Sequence, residues 1–303
     1  MRGDRSLPVR VYRLLVDNSA LLLVGTVAAL VWANLAPASY GAFSHALHFV
    51  ANDIGMVFFF ALAAKEVFEA TLPGGPLGSA RSAALPLLAA SGGMLGPALL
   101  FIGIATSLGI PGLVHGWAIP CATDIAFSAL VARAIFGRGH PAVPFLLLLA
   151  IADDALGLLI LAVFYPTGLL RPVEAVVLVG AGMAVAWWLR RRGVASFWPY
   201  ALGAGLLSWI GLWRGGLHPA LALVPIVGFM PHASADFGPY DHRKDARHDT
   251  LSEFEHWWKE PVEWILLVFG LVNAGVAIKS VGPATWAVAI AMMAGKPVGM
   301  LAC

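Results

Sequence analysis

Charge is scarce in this 303-residue chain: 17 acidic and 19 basic residues make up only 12% of it, against 59% hydrophobic residues. A water-soluble domain carries roughly twice that share of charge, and no compact fold hides so much apolar surface from solvent. The formal net charge is only +2, and nucleic-acid binding has no support. Cysteine is rarer still. Cys121 and Cys303 lie far apart in apolar surroundings, which excludes a disulfide framework and a cysteine metal site. Sustained alternation of apolar and polar residues is also missing, and with it the signature of a membrane β-barrel.

What the chain has instead is long apolar runs, and its mean hydropathy is +0.81. Runs of spanning or near-spanning length fall at 19–36, 48–65, 82–105, 117–136, 144–165, 173–189, 198–213, 216–230, 261–278 and 283–303. Only helices satisfy their backbone hydrogen bonds within such continuous segments in hydrocarbon. The expected fold is therefore all-α: one polytopic membrane domain of about ten transmembrane helices. Arg2, Arg5, Arg10 and Arg13 precede the first run in the manner of a signal peptide, but the run is long enough to span.

Charge placement sets the expected topology, because short cytoplasmic loops collect Lys and Arg. With the N-terminus inside, the inner segments hold the N-terminal arginines, Arg81, Arg133, Arg138, Arg190 to Arg192, Arg243, Lys244, Arg247 and Lys259. The outer loops hold only Arg171, Arg214 and Lys279. The polar stretch 231–260 reads as a solvated cytoplasmic loop.

Against this background, charges inside the apolar runs stand out. Asp153 and Asp154 interrupt the middle of the fifth run. Each central Asp costs about 2.5–3.5 kcal/mol on insertion, whereas a Leu returns only about 0.3–0.6. An adjacent pair without a structural excuse points to an ion or proton site facing the protein interior or a water-filled cavity. Successive helical residues point about 100° apart, so one carboxylate addresses a cavity while the other meets a neighbouring helix. Thr123 and Asp124 follow Pro120 in the fourth run, where the proline obstructs the preceding turn and a broken helix would offer carbonyl oxygens to a small cation. Lys296 lies inside the last run. At a rise of about 1.5 Å per residue, Asp153 and Lys296 reach similar depths, roughly 14 and 10 Å from the inner face, so a buried Asp–Lys pair is expected.

Bland readings exist for two of these: Asp124 as a helix cap and Lys296 as a snorkelling side chain. Carboxylates that hold either a cation or protons make an exchanger, although the same residues would also serve a proton-coupled symporter. A membrane aspartyl hydrolase would need facing carboxylates, which Asp124 and Asp154 could mimic, but no further protease motif accompanies them, so no enzyme activity is expected.

Taken in order, the segments resemble the NhaA-type sodium/proton antiporters. The matching stretches are Phe58-Phe-Phe with Glu66, Gly92-Gly-Met-Leu-Gly-Pro, Gly116-Trp-Ala-Ile-Pro-Cys-Ala-Thr-Asp-Ile-Ala-Phe, Ala150-Ile-Ala-Asp-Asp, Gly216-Leu-His-Pro-Ala, Phe254-Glu-His, Asn273-Ala-Gly-Val and Gly295-Lys-Pro-Val-Gly. The resemblance implies an inverted-repeat fold with a broken helix in the bacterial inner membrane. It further implies exchange of Na+ or Li+ for H+ without a cofactor, with activity set by pH. Na+ and protons would bind at Asp153 and Asp154, Lys296 would pair with Asp153, and Thr123 and Asp124 would mark the unwound crossing. Glu66, His218, Glu255 and His256 would sit where the pH response is tuned.

Three departures from the family pattern carry expectations of their own. The run Glu-Val-Lys-Arg-Glu reads Glu66-Val-Phe-Glu-Ala here, which suggests an altered pH profile. The loop 37–48 is too short for the family's dimerisation hairpin, which weakens a homodimer. The chain also stops at Cys303 where family members carry two more helices, so a truncated, non-transporting protein is the alternative reading.

Overall fold

The structure is a computed structural model that describes residues 20–72, 78–121, 135, 142–165, 170–232 and 249–303. Every regular element among the described residues is helical. The first is α1 (Ala20–Leu35), and α2 (Pro37–Phe49) follows it directly. Through a π-helical turn at Val50–Gly55, α2 then runs into α3 (Met56–Thr71). The loop expected at 37–48 is thus corrected to helix: Pro37 occupies the first turn, where a proline costs no hydrogen bond, and α2 to α3 form one 35-residue apolar rod. At about 1.5 Å per residue the rod is roughly 52 Å long, well beyond a 30 Å hydrocarbon layer.

Next come α4 (Ala80–Leu108), α5 (Ala142–Phe164) and α6 (Pro172–Arg191). A π-helical turn at Pro199–Ala204 leads into α7 (Gly205–Gly215). The eighth expected span, 216–230, is not a continuous helix. Gly216 ends α7 in the left-handed conformation (φ 75°), a 3-10 turn covers Pro219–Leu221, and α8 comprises only Val224–Val227. Pro219 and Pro225 explain the interruption, since neither supplies a backbone donor.

The long helix α9 (Thr250–Asn273) takes over part of the expected loop 231–260, which is helical from Thr250 onward. Its start is fixed by Asp249, whose carboxylate accepts a hydrogen bond from Ser252 N at 2.7 Å. Its burial follows from Leu251 and Phe254, both fully buried at helical spacing. The last elements are α10 (Pro283–Ile290), a π-helical turn at Ala291–Gly295, and α11 (Lys296–Ala302), which together form a single 20-residue apolar rod.

Among the described residues, four rods are long and apolar enough to cross a membrane: 37–71, 83–108, 172–191 and 283–302. Two packed groups result. In one, α1 lies on α9, α6 on α7, and α3 joins both around a core of Phe197, Tyr200, Ile226, Met230, Leu251 and Phe254. In the other, α4 packs against α11 and α5. Contacts between α3 and α5 link the groups, and an apolar crevice of about 490 Å³ opens beside them, lined by Val67, Phe68, Leu158, Ala162 and Leu221.

The α4–α11 contact is a close one. Gly92 and Gly96 on one side face Gly299 and Gly295 on the other, and a Cβ on any of the four would run into backbone atoms across the interface. Four residues separate the glycines in each pair, which places them on one helix face. The absence of side chains there lets the two backbones touch.

Candidate functional site

Helix α5 carries Asp153 at its middle, 3% exposed, and the glycine seam brings Lys296 of α11, 7% exposed, against it. Lys296 Nζ lies 2.6 Å from Asp153 Oδ2 and donates a second hydrogen bond, also 2.6 Å, to the carbonyl oxygen of Cys121. Gly93 makes room for Met300 of α11, since a Cβ there would lie 2.8 Å from Met300 Cε. The π-helical turn just before Lys296 adds a residue to the helix and so sets the direction in which the lysine projects. An ion pair removed from water holds only with short geometry and extra hydrogen bonds, and this one has both.

The stretch that leads up to Cys121 is not a regular α-helix. After α4 it turns through Gly109 and Gly112, both left-handed (φ 63° and 79°), makes 3-10 turns at Leu113–Gly116 and Ile119–Cys121, and carries Pro120. The Cys121 thiol is buried and donates to Met94 O at 3.3 Å. Thr123 and Asp124 lie outside the described residues. Asp154 continues the helical backbone of α5, and its side chain lies outside what is described.

The four residues assigned to pH tuning are distributed differently. Glu255, on α9, accepts from Lys65 Nζ of α3 at 2.5 Å, and Glu69 meets the same ammonium at 2.6 Å. Glu66 is exposed, one residue along from Lys65, and His256 is exposed beside Glu255. His218 is half-buried and caps the 3-10 turn at Pro219–Leu221, its Nδ1 accepting from Ala220 N at 3.4 Å.

Lys65, 6% exposed, is the residue that sequence reading passed over. It stands at the last position of the second apolar run, where a basic residue reads as a boundary marker. The available signal was its i,i+4 spacing to Glu69. The cations missing after Glu66 are thus answered by one just before it.

Comparison with known proteins bears on the whole chain. The profile described as Na+/H+ antiporter 1 matches residues 11–303. This chain belongs to that family. Among its relatives, the Na+/H+ antiporter NhaA of Desulfitobacterium hafniense is 50% identical over 297 residues, which cover 94% of this chain and 76% of that protein. The corresponding antiporter of Geobacter sulfurreducens is 48% identical, covering 95% and 78% respectively. That of a Jannaschia species is 46% identical, covering 96% and 80%. The Na+/H+ antiporter family is one of membrane transporters and not of enzymes, and its members are polytopic. The apolar helical rods and the buried pair therefore belong to a transport protein.

Proposed function

We propose that this protein exchanges Na+ for H+ across the bacterial inner membrane, with its N-terminus in the cytoplasm. The observation that carries the reading is the Lys296–Asp153 pair, buried at mid-helix and joined to the Cys121 carbonyl. Family membership supports the same reading, since the relatives are named Na+/H+ antiporters.

In this reading Asp153 and Asp154 hold either Na+ or protons. In the proton-loaded state Lys296 is an ammonium beside the ionised Asp153 carboxylate, and the other proton sits on Asp154. Arriving Na+ brings a positive charge to the same carboxylates, which weakens the hold on Lys296 and favours proton release. Thr123 and Asp124 complete the crossing at the broken helix. Exposing the site to each side of the membrane in turn converts this competition into exchange. Li+ is accepted as a second cargo because it too is a small, hard cation that suits oxygen ligands. Transport rises with pH until protons no longer compete, and the Lys65–Glu69–Glu255 cluster, with Glu66, His218 and His256, tunes that response.

Proteoliposomes loaded with a pH-sensitive dye provide the test. Addition of Na+ should move protons in the parent protein and not in Asp153→Asn or Asp154→Asn. Undiminished flux in either variant removes the carboxylate mechanism.

A further inference from the structure

Among the described residues, two side chains from outside the irregular segment 109–121 hydrogen-bond to its backbone. One is Lys296 of α11, as described. The other is Tyr165, the residue directly after α5, whose hydroxyl donates to His115 O at 2.9 Å and accepts from Ala118 N at 3.4 Å. The ring of Trp117 packs edge-on to Phe164 and at a tilt to Tyr165. Cys121 N in turn donates to Ala118 O at 3.1 Å. A closed circuit results: Asp153 along α5 to Tyr165, across to Ala118, along the chain to Cys121, across to Lys296 and back to Asp153. The covalent stretch of α5 in it is roughly 18 Å long at the helical rise of 1.5 Å per residue.

Segment 109–121 packs against α4, with Leu113, Val114 and Trp117 on Phe101 and Ala105 and the Cys121 thiol bonded to Met94 O, but its own backbone is irregular. It is not a continuous helix, two of its glycines are left-handed, and its 3-10 turns are three or four residues long. A carbonyl on such a segment points reliably at a lysine only if the segment is braced. A phenol hydroxyl that donates to one backbone group and accepts from another braces it at two points.

We propose that Tyr165 is a positioning residue of the exchange site. It clamps segment 109–121 to the end of α5, so that the Cys121 carbonyl is presented to Lys296 and shares the ammonium with Asp153. This rests on the function proposed above. Loosening the clamp takes the Cys121 carbonyl away from Lys296, so the ammonium leans more heavily on Asp153 and resists displacement by Na+. The apparent affinity for Na+ then falls while the maximal rate is kept.

The two cysteines make the test direct, because Cys303→Ser leaves Cys121 as the sole thiol and Cys121 is 2% exposed. Alkylation by N-ethylmaleimide at fixed pH reads the position of the segment whether or not the protein transports. Loss of two hydrogen bonds in Tyr165→Phe should speed labelling about tenfold with the melting temperature nearly unchanged. In proteoliposomes the KM for Na+ should rise about fivefold at a maximal rate within about twofold of the parent. Tyr165→His, which keeps ring nitrogens to donate and accept, should restore part of both.

Unchanged labelling overturns the proposal, and so does faster labelling with an unchanged KM, which would make the clamp a structural brace only. If Tyr165→Phe melts early, Lys296→Met decides, because it opens the circuit from the far side with the tyrosine intact. Protected Cys121 in that variant also overturns the proposal. A parent protein without Na+ flux would count against the exchange function, and the labelling comparison would still decide the role of the clamp.

Discussion

Lys65 and Glu255 stand 190 residues apart in sequence and meet at 2.5 Å, pinning the end of α3 to the first turns of α9. The lysine is almost fully buried, whereas the two carboxylates that share it are partly open to solvent. Lys65→Met should lower stability by about 2 kcal/mol, because it leaves two carboxylates beside each other without their cation. Glu255→Gln should cost less, since Glu69 remains. Thermal melting in detergent measures both, and a double-mutant cycle giving no Lys65–Glu255 coupling would contradict the pairing.

At the centre of the molecule the balance is steeper. Asp153→Asn takes from the buried Lys296 ammonium the carboxylate it pairs with at 2.6 Å, and a loss of about 3–5 kcal/mol is expected. Removing both charges in Asp153→Asn with Lys296→Met should recover most of that loss, although transport stays absent. A double variant no more stable than Asp153→Asn would show that the pair is not where the destabilisation arises.

The glycine seam gives a packing prediction with an internal control. Gly299→Ala or Gly96→Ala forces α4 and α11 apart and should cost about 1–3 kcal/mol. A Cβ on Gly103 of the same α4 meets nothing within 4 Å, so Gly103→Ala should be neutral or stabilising by up to about 1 kcal/mol. Equal melting of all three variants would show that the seam is not closed as described.

Tyr40 ties α2 to the end of α9 by donating to Val272 O at 2.8 Å and accepting from Gly275 N at 2.9 Å. Tyr40→Phe keeps the ring and removes both bonds, for an expected loss of about 1–2 kcal/mol. Gly275→Ala should cost more, because the new Cβ would collide with the tyrosine ring. Limited proteolysis after Asn273 should report both variants as faster cutting. An unaffected cutting rate in Gly275→Ala would refute the contact.

How far the fold was legible depended on whether polarity and hydropathy agreed. The runs at 82–105, 144–165 and 173–189 became α4, α5 and α6 with shifts of a few residues, because their apolar length outweighs what lies within it, the Asp153–Asp154 pair included. The run 216–230 is equally apolar but is broken by Gly216, Pro219 and Pro225, a backbone effect that hydropathy does not register. The start of α9 was lost for the opposite reason. Its charged residues outweighed Leu251, Phe254 and Trp258, whose three- and four-residue spacing marks a helical face.

The site divides along the same line. Asp153 and Lys296 were legible because a charge in hydrocarbon is costly enough to demand a reason. The third member of their cluster is a backbone carbonyl, and every residue type has one. No sequence pattern distinguishes the oxygen of Cys121 from its neighbours, so it became visible only once the chain was folded around it. Tyr165 escaped notice for a related reason, since a tyrosine at the end of an apolar run reads as an ordinary interfacial residue.

The π-helical turn at Ala291–Gly295 makes the lysine's aim depend on a count of residues as well as on their kinds. One residue more than an α-helical turn needs has been accommodated just ahead of Lys296, and each residue of a helix turns the next by about 100°. Deleting any one of these five residues would let the segment relax to a regular helix with its chemistry almost untouched. The ammonium group would then swing about a quarter turn away from Asp153, toward whatever lies on the neighbouring face.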